Sequence, residues 1–184
     1  TIRYGDHDTD RIPDPTLMTH AGFLNDRMTE VHPSSFLAAR SWLLDEVGLI
    51  DEQLPGSYAE DYDFLLRVSA AGPIAIAPEP LVRIWWHGAS FFFERWKTID
   101  DALTYLLEKH PGFETCNSGK ARIIGQQAFA RAAMNQRARA VRTAFAALRL
   151  SPFEKRSYLA MVVASGLISA ERALVFAHRF GKGI

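Results

Sequence analysis

An α/β domain followed by an all-helical extension is the fold class this sequence predicts. Three observations carry the prediction. Over residues 1–98, short runs of strand character alternate with helical runs, the pattern of layered α/β architecture. From Thr98 onward every signal is helical. The charge balance reverses at the same place: residues 1–98 hold 8 Lys/Arg against 15 Asp/Glu, and residues 99–184 hold 13 against 6. Two oppositely charged parts point to two tasks, with the domains at 1–98 and 99–184.

Element by element, "TIRYGD" has strand character, and a loop rich in Asp, Pro and Thr follows to about residue 30. "SSFLAARSWLLDEVGLID" predicts a short strand leading into a short helix that stops at Gly48. "AEDYDFLLRVSAAG" predicts a helix with Phe64, Leu65 and Val68 on one face and Gly72 as its stop. "PIAIAP" and "LVRIWWH" predict two short strands parted by the turn "PEP". In the second part, "TIDDALTYLLEKHPG" predicts a helix capped by Thr98 and stopped at Pro111-Gly112. Residues 118–150 predict an αα-hairpin joined near Asn135, with alanines at its contact. "SPFEKR" reads as a capping box from Ser151 to Glu154, with Pro152 at the first helical position. A last helix is predicted to stop at Gly181. The two alanine-rich helices suggest a repeat unit, but no second copy stands at a fixed period.

Totals narrow the class. A length of 184 residues suits one sizeable domain or a domain with an appendage. The single cysteine, Cys116, excludes an internal disulfide framework and is compatible with a reducing cytoplasm. No stretch approaches the ~18 apolar residues of a membrane span. The longest, "YLAMVVASGLISA", is broken by Ser165, Gly166 and Ser169 and predicts a buried or interfacial helix. The expected location is cytoplasmic, with peripheral attachment to the inner face of the membrane as an option. Thr1 opens the chain without a methionine or a signal-peptide pattern, so a fragment of a longer protein is expected.

The chemistry concentrates at "GSYAEDYDFLLR", where Glu60, Asp61 and Asp63 fall within four positions ahead of an apolar helical run. Acids at a helix start are favoured by its unpaired N–H groups and macrodipole. The same placement suits a working carboxylate, already ionised and aimed into a cleft.

The surrounding order of parts decides between these two uses. Ser34–Ser35, Arg40, Val47–Gly48, Ile50–Asp51–Glu52, Glu60–Asp63, Pro80–Arg83 and His87 stand in sequence over residues 28–92. In that order and spacing they closely resemble the acceptor-side half of family 2 glycosyltransferases of the GT-A fold; "YGDHDTD" resembles the family weakly. The resemblance implies transfer of a sugar from a nucleotide-diphosphate donor to a hydroxyl acceptor, glycan or lipid-linked, by an inverting single displacement. It places Asp61 at the family's general base, because a hydroxyl is a poor nucleophile until a carboxylate takes its proton.

Further roles follow from the same resemblance. Glu60 is placed to position the acceptor, or simply to bond nearby N–H groups, and Asp63 to cap the first turn. Arg83 is assigned to a phosphate or to an acid near Asp61. His87 reads equally as a ligand of the donor's divalent metal and as a histidine packed between Trp85, Trp86 and Phe91. One of Trp85 and Trp86 can face the cleft, with Trp86 the candidate to stack on a sugar, although core packing is the more ordinary role of such an aromatic. Ser34 and Ser35, with His32, line the acceptor pocket or form a polar turn. Asp6, Asp8 and Asp10 imitate the family's Asp-x-Asp metal element but fall downstream of its place, so Asp6 and Asp8 are not assigned. The Mg²⁺ or Mn²⁺ ion is accordingly expected to be held mainly by a donor-binding half that this sequence lacks, and the piece alone is expected to be inactive.

The helical part matches no catalytic motif. Arg131, Arg137, Arg139, Arg142 and Arg149 stand beside an apolar stripe, as on a solvated bundle face or a surface for anionic lipid. Alanine richness and the lack of a recognition helix weigh against nucleic acid. The functional expectation is a family 2 glycosyltransferase; the alternative is a non-catalytic helical adaptor whose transferase-like part is degenerate.

Overall fold

The structure, a computed structural model, describes residues 1–4, 6–85 and 95–179. Among these the chain is mostly helical with one small sheet. It divides into two compact units, Thr1–Gln53 with Ala59–Phe93 and Leu54–Tyr58 with Glu94–Ile184.

The sheet of the first unit has the order β2-β1-β3. Strand β1 (Ile2–Tyr4) runs antiparallel to β2 (His7–Thr9) and parallel to β3 (Ile84–Trp85). Arg3 stands at its centre, paired across the ladders with Asp8 and Trp85. Its guanidinium lies 3.8 Å from Asp8 Oδ1 and 5.0 Å from the centre of a Trp85 ring. The strand predicted at "PIAIAP" does not form: residues 73–78 join no ladder, although Ile74 and Ile76 are more covered than their neighbours. Pro73 and Pro78 supply no N–H to a ladder, and alternating burial alone is not pairing.

Helix α1 (His20–Asn25) is capped by Thr19, whose Oγ1 accepts from the Gly22 N–H. The strand expected after Ser34 is absent. Pro33–Ser35 is a 3-10 turn, and Phe36 stacks on Phe64 with ring centres 6.0 Å apart. The short helix is present as α2 (Arg40–Trp42), which runs into a π-helical turn, Leu43–Val47, and ends at Gly48. Helix α3 (Glu60–Ala71) ends before Gly72 as predicted, but its buried face is Tyr62, Leu65 and Leu66, with Phe64 and Val68 only partly covered. The shift has a cause: the Tyr62 hydroxyl donates to the Phe23 carbonyl of α1 at 2.6 Å. Tyr62 and Phe23 are both essentially inaccessible, so this contact sets which face of α3 turns inward.

In the second unit, α4 (Trp96–Lys109) begins two residues before Thr98, which therefore lies inside the helix and does not cap it. Thr98 packs instead on Gly56, where φ is +57 and an added Cβ would stand 2.4 Å from the Thr98 methyl. Helices α5 (Asn117–Ala133) and α6 (Arg137–Leu150) form the expected hairpin, turned by Asn135 at φ 59. Their contact with α7 (Lys155–Ser165) is built from Ala128, Ala132, Ala140, Ala144, Ala160 and Ala164, with Phe129 beside them. Trp96 meets the Phe129 ring edge-on at 5.6 Å. Helix α8 (Ala170–Arg179) follows a break at Gly166, so the last helical run is two helices; Gly181 lies outside the described residues.

The capping box also resolves differently. Helix α7 begins at Lys155, and Glu154 itself is the cap, accepting from the Arg156 N–H at 3.0 Å. Its side chain fills the space left by Gly125 of α5, where an added Cβ would stand 2.7 Å from Glu154 Cγ. Glu154→Ala is expected to lower stability by about 1–2 kcal/mol, whereas Ser151→Ala stays within about 0.5 kcal/mol. Urea denaturation of the two variants checks this, and equal losses would restore Ser151 as the cap.

Candidate functional site

Helix α3 starts without a side-chain cap. The residue before it, Ala59, has φ 65, a left-handed conformation that an L-residue with a Cβ adopts at a cost of about 1–2 kcal/mol. The first turn then carries Glu60, Asp61 and Asp63, and the three acids meet different surroundings.

Asp61 is held from two directions. Arg27 Nη2 donates to Asp61 Oδ1 at 2.7 Å and lies 3.0 Å from Oδ2, and the Tyr62 N–H donates to Oδ1 at 2.8 Å. The Asp61 side chain keeps 20% of its surface exposed. Arg27 comes from the segment just after α1, so the carboxylate is pinned by chain far away in sequence. Glu60 is half-buried and makes no hydrogen bond or ion pair among the described residues.

Asp63 is not a cap. It is fully buried and pairs with Arg67 one turn later, the Arg67 Nε donating to Asp63 Oδ2 at 3.0 Å. Arg67 Nη1 also donates to the Val47 carbonyl at 2.7 Å, which ties α3 to the end of the π-helical turn. The pair is structural.

The remaining candidates have their own partners. Arg83 lies 3.4 Å from Asp8 Oδ2 of β2, so its acid is in the sheet. Asp8 thereby sits between Arg3 and Arg83, and Asp10 accepts from the Thr1 hydroxyl at 2.6 Å. Ser34 and Ser35 are exposed in the turn after His32: the Ser34 N–H donates to His32 Nδ1 at 3.2 Å, and the Ser35 hydroxyl to the His32 carbonyl at 2.7 Å. Trp85 is exposed with Arg3 against it. Trp86 and His87 lie outside the described residues. Asp14 has its carboxyl held below the ordinary range by hydrogen bonds from the Thr16 side chain and N–H, as part of the Pro15–Leu17 turn.

Among the described residues, no group of three His, Cys, Asp or Glu is placed to hold a metal ion, so they do not fit a metal centre by themselves. Likewise no described helix is long and apolar enough to cross a membrane. No family model, curated protein or solved structure matches the chain.

Proposed function

We propose that residues 1–98 form the acceptor-side part of an inverting family 2 glycosyltransferase in which Asp61 is the general base. One observation carries the reading: of three acids at the start of α3, Asp63 is consumed by the fold and Glu60 has no oriented contact among the described residues, while Asp61 stays partly exposed and is oriented by Arg27. The strained Ala59 immediately before it supports the reading, since such backbone clusters at working sites.

In the proposed step, the acceptor hydroxyl oxygen attacks the anomeric carbon of the donor. Its proton passes to an Asp61 carboxylate oxygen, and the bond to the diphosphate breaks with its electron pair leaving on the diphosphate. A single displacement inverts the centre and requires one base. Glu60 orients the acceptor, and a divalent ion, when bound, neutralises charge on the leaving diphosphate. Holding that ion is not assigned to any described residue.

A second reading has an observation of its own. Asp61, Asp63 and Asp8 each already face an arginine, as they would in a non-catalytic module whose acids only stabilise the fold. Titration with neutral oligosaccharides, followed by backbone amide resonances, separates the two. The transferase reading expects shifts confined to residues around Arg27, Glu60 and Asp61, and their loss in Asp61→Ala. Saccharides that leave those amides unmoved would favour the module.

A further inference from the structure

Helix α6 buries Ala140, Thr143, Ala144 and Ala147 and turns Arg139 and Arg142 outward. Three residues apart, the two arginines are neighbours on the helix surface. Arg142 makes no ion pair or hydrogen bond among the described residues, and Arg139 donates to Gln136 Oε1 at 3.3 Å. They border a groove of about 400 Å³ whose lining includes Leu107 of α4, Ile124 and Arg131 of α5, and Thr143. No carboxylate is part of that lining. The adjoining cleft of about 440 Å³ also reaches Arg139, but its wall sets Asp100, Asp101 and Glu108 against Lys97 and Arg139.

Arg131 gives the groove a fixed floor. Its side chain is only 12% exposed and is oriented by Asp100, with Nε donating to Oδ2 at 3.0 Å, and by Nη1 donating to the Thr143 hydroxyl at 2.6 Å. Asp100 therefore matches the charge of Arg131 and leaves Arg142 unmatched, while Arg139 also borders the cleft that carries Asp101 and Glu108. Solvated arginines are common on helix surfaces, and exposure alone would call for nothing more. Here two exposed guanidinium groups border a shallow, open depression, with a third, largely covered one in its lining and half-buried Leu107 and Ile124 alongside. Planar guanidinium forks suit phosphate oxygens, and the apolar side chains suit an uncharged body next to the phosphate.

We propose that this groove binds a phosphate ester, with Arg139 and Arg142 on the phosphate oxygens and Leu107 and Ile124 against the organic part. The assignment does not depend on the transferase reading. Three probes test it by calorimetry and vesicle flotation on the whole chain: inorganic phosphate, hexyl phosphate, and vesicles with or without phosphatidic acid. Hexyl phosphate is expected to bind about tenfold more tightly than inorganic phosphate, through the added apolar contact. Arg139→Gln/Arg142→Gln is expected to weaken binding at least about tenfold, through lost charge-assisted bonds. The charge-matched control Arg149→Gln/Lys155→Gln, outside the lining, should change it no more than about twofold, as general screening would. Binding of the soluble ester identifies a free ligand; binding of phosphatidic acid vesicles alone, lost in the same double variant, identifies a lipid headgroup. Equal weakening in the two double variants, or no binding of any probe, overturns the proposal.

Discussion

With a donor-binding half supplied, Asp61→Asn is expected to lower sugar transfer by about 10²- to 10⁴-fold, the usual contribution of a positioned base. The substitution is nearly isosteric, and its amide oxygen still accepts from Arg27 and from the Tyr62 N–H, the two donors now on Asp61. The ion pair it removes is partly exposed on both sides, so the stability change should stay within about 1 kcal/mol. Donor affinity should hardly move, because the proton leaves the acceptor only as the transition state forms. Initial rates at saturating donor, together with a denaturation midpoint, make the check. Activity within about tenfold of wild type, or about 1.4 kcal/mol, removes Asp61 from the mechanism.

Arg67→Met should have the largest effect on folding of the first unit. Asp63 has no exposed surface, and the substitution leaves its carboxylate without the guanidinium that faces it, at a cost of about 3–5 kcal/mol. The Val47 carbonyl loses its donor as well. For a unit of roughly 90 residues that corresponds to a fall of about 20 °C in its thermal midpoint. The double variant Asp63→Leu/Arg67→Met should recover much of the loss, because the buried carboxylate is removed together with its partner. A single-variant cost below about 1 kcal/mol would mean that solvent reaches Asp63. The proposed site depends on this pair indirectly, since it anchors the same helix turn that presents Asp61.

The legible part of the fold was the part written in local pattern. Helical periodicity located α3 to α6, Gly48 and Gly72 marked helix ends, and Asn135 marked the hairpin turn. What stayed hidden depends on partners distant in sequence. The inward face of α3 is set by Tyr62 reaching Phe23, and nothing near Tyr62 announces it. Thr98 looked like a cap because it precedes an apolar run, but its position answers to Gly56 some forty residues earlier. Arg27 carries no periodic or motif signal, yet it is the group that orients Asp61. Asp63 is different: Arg67 stands at i+4, so the pairing is readable in the sequence, although an acid in the first turn of a helix is equally explained by the helix end.

The alanine seam of α5, α6 and α7 has a thermal consequence. Alanine has almost no side-chain freedom to lose on folding, so backbones approach closely with little side-chain entropy surrendered. It also exposes little hydrocarbon when the helices separate. Heat capacity rises on unfolding in proportion to newly wetted apolar surface, so this seam adds less to that rise than leucines or phenylalanines would. The curve of stability against temperature is correspondingly flattened in the helical unit, which loses less of its hold on cooling than a core of large side chains does.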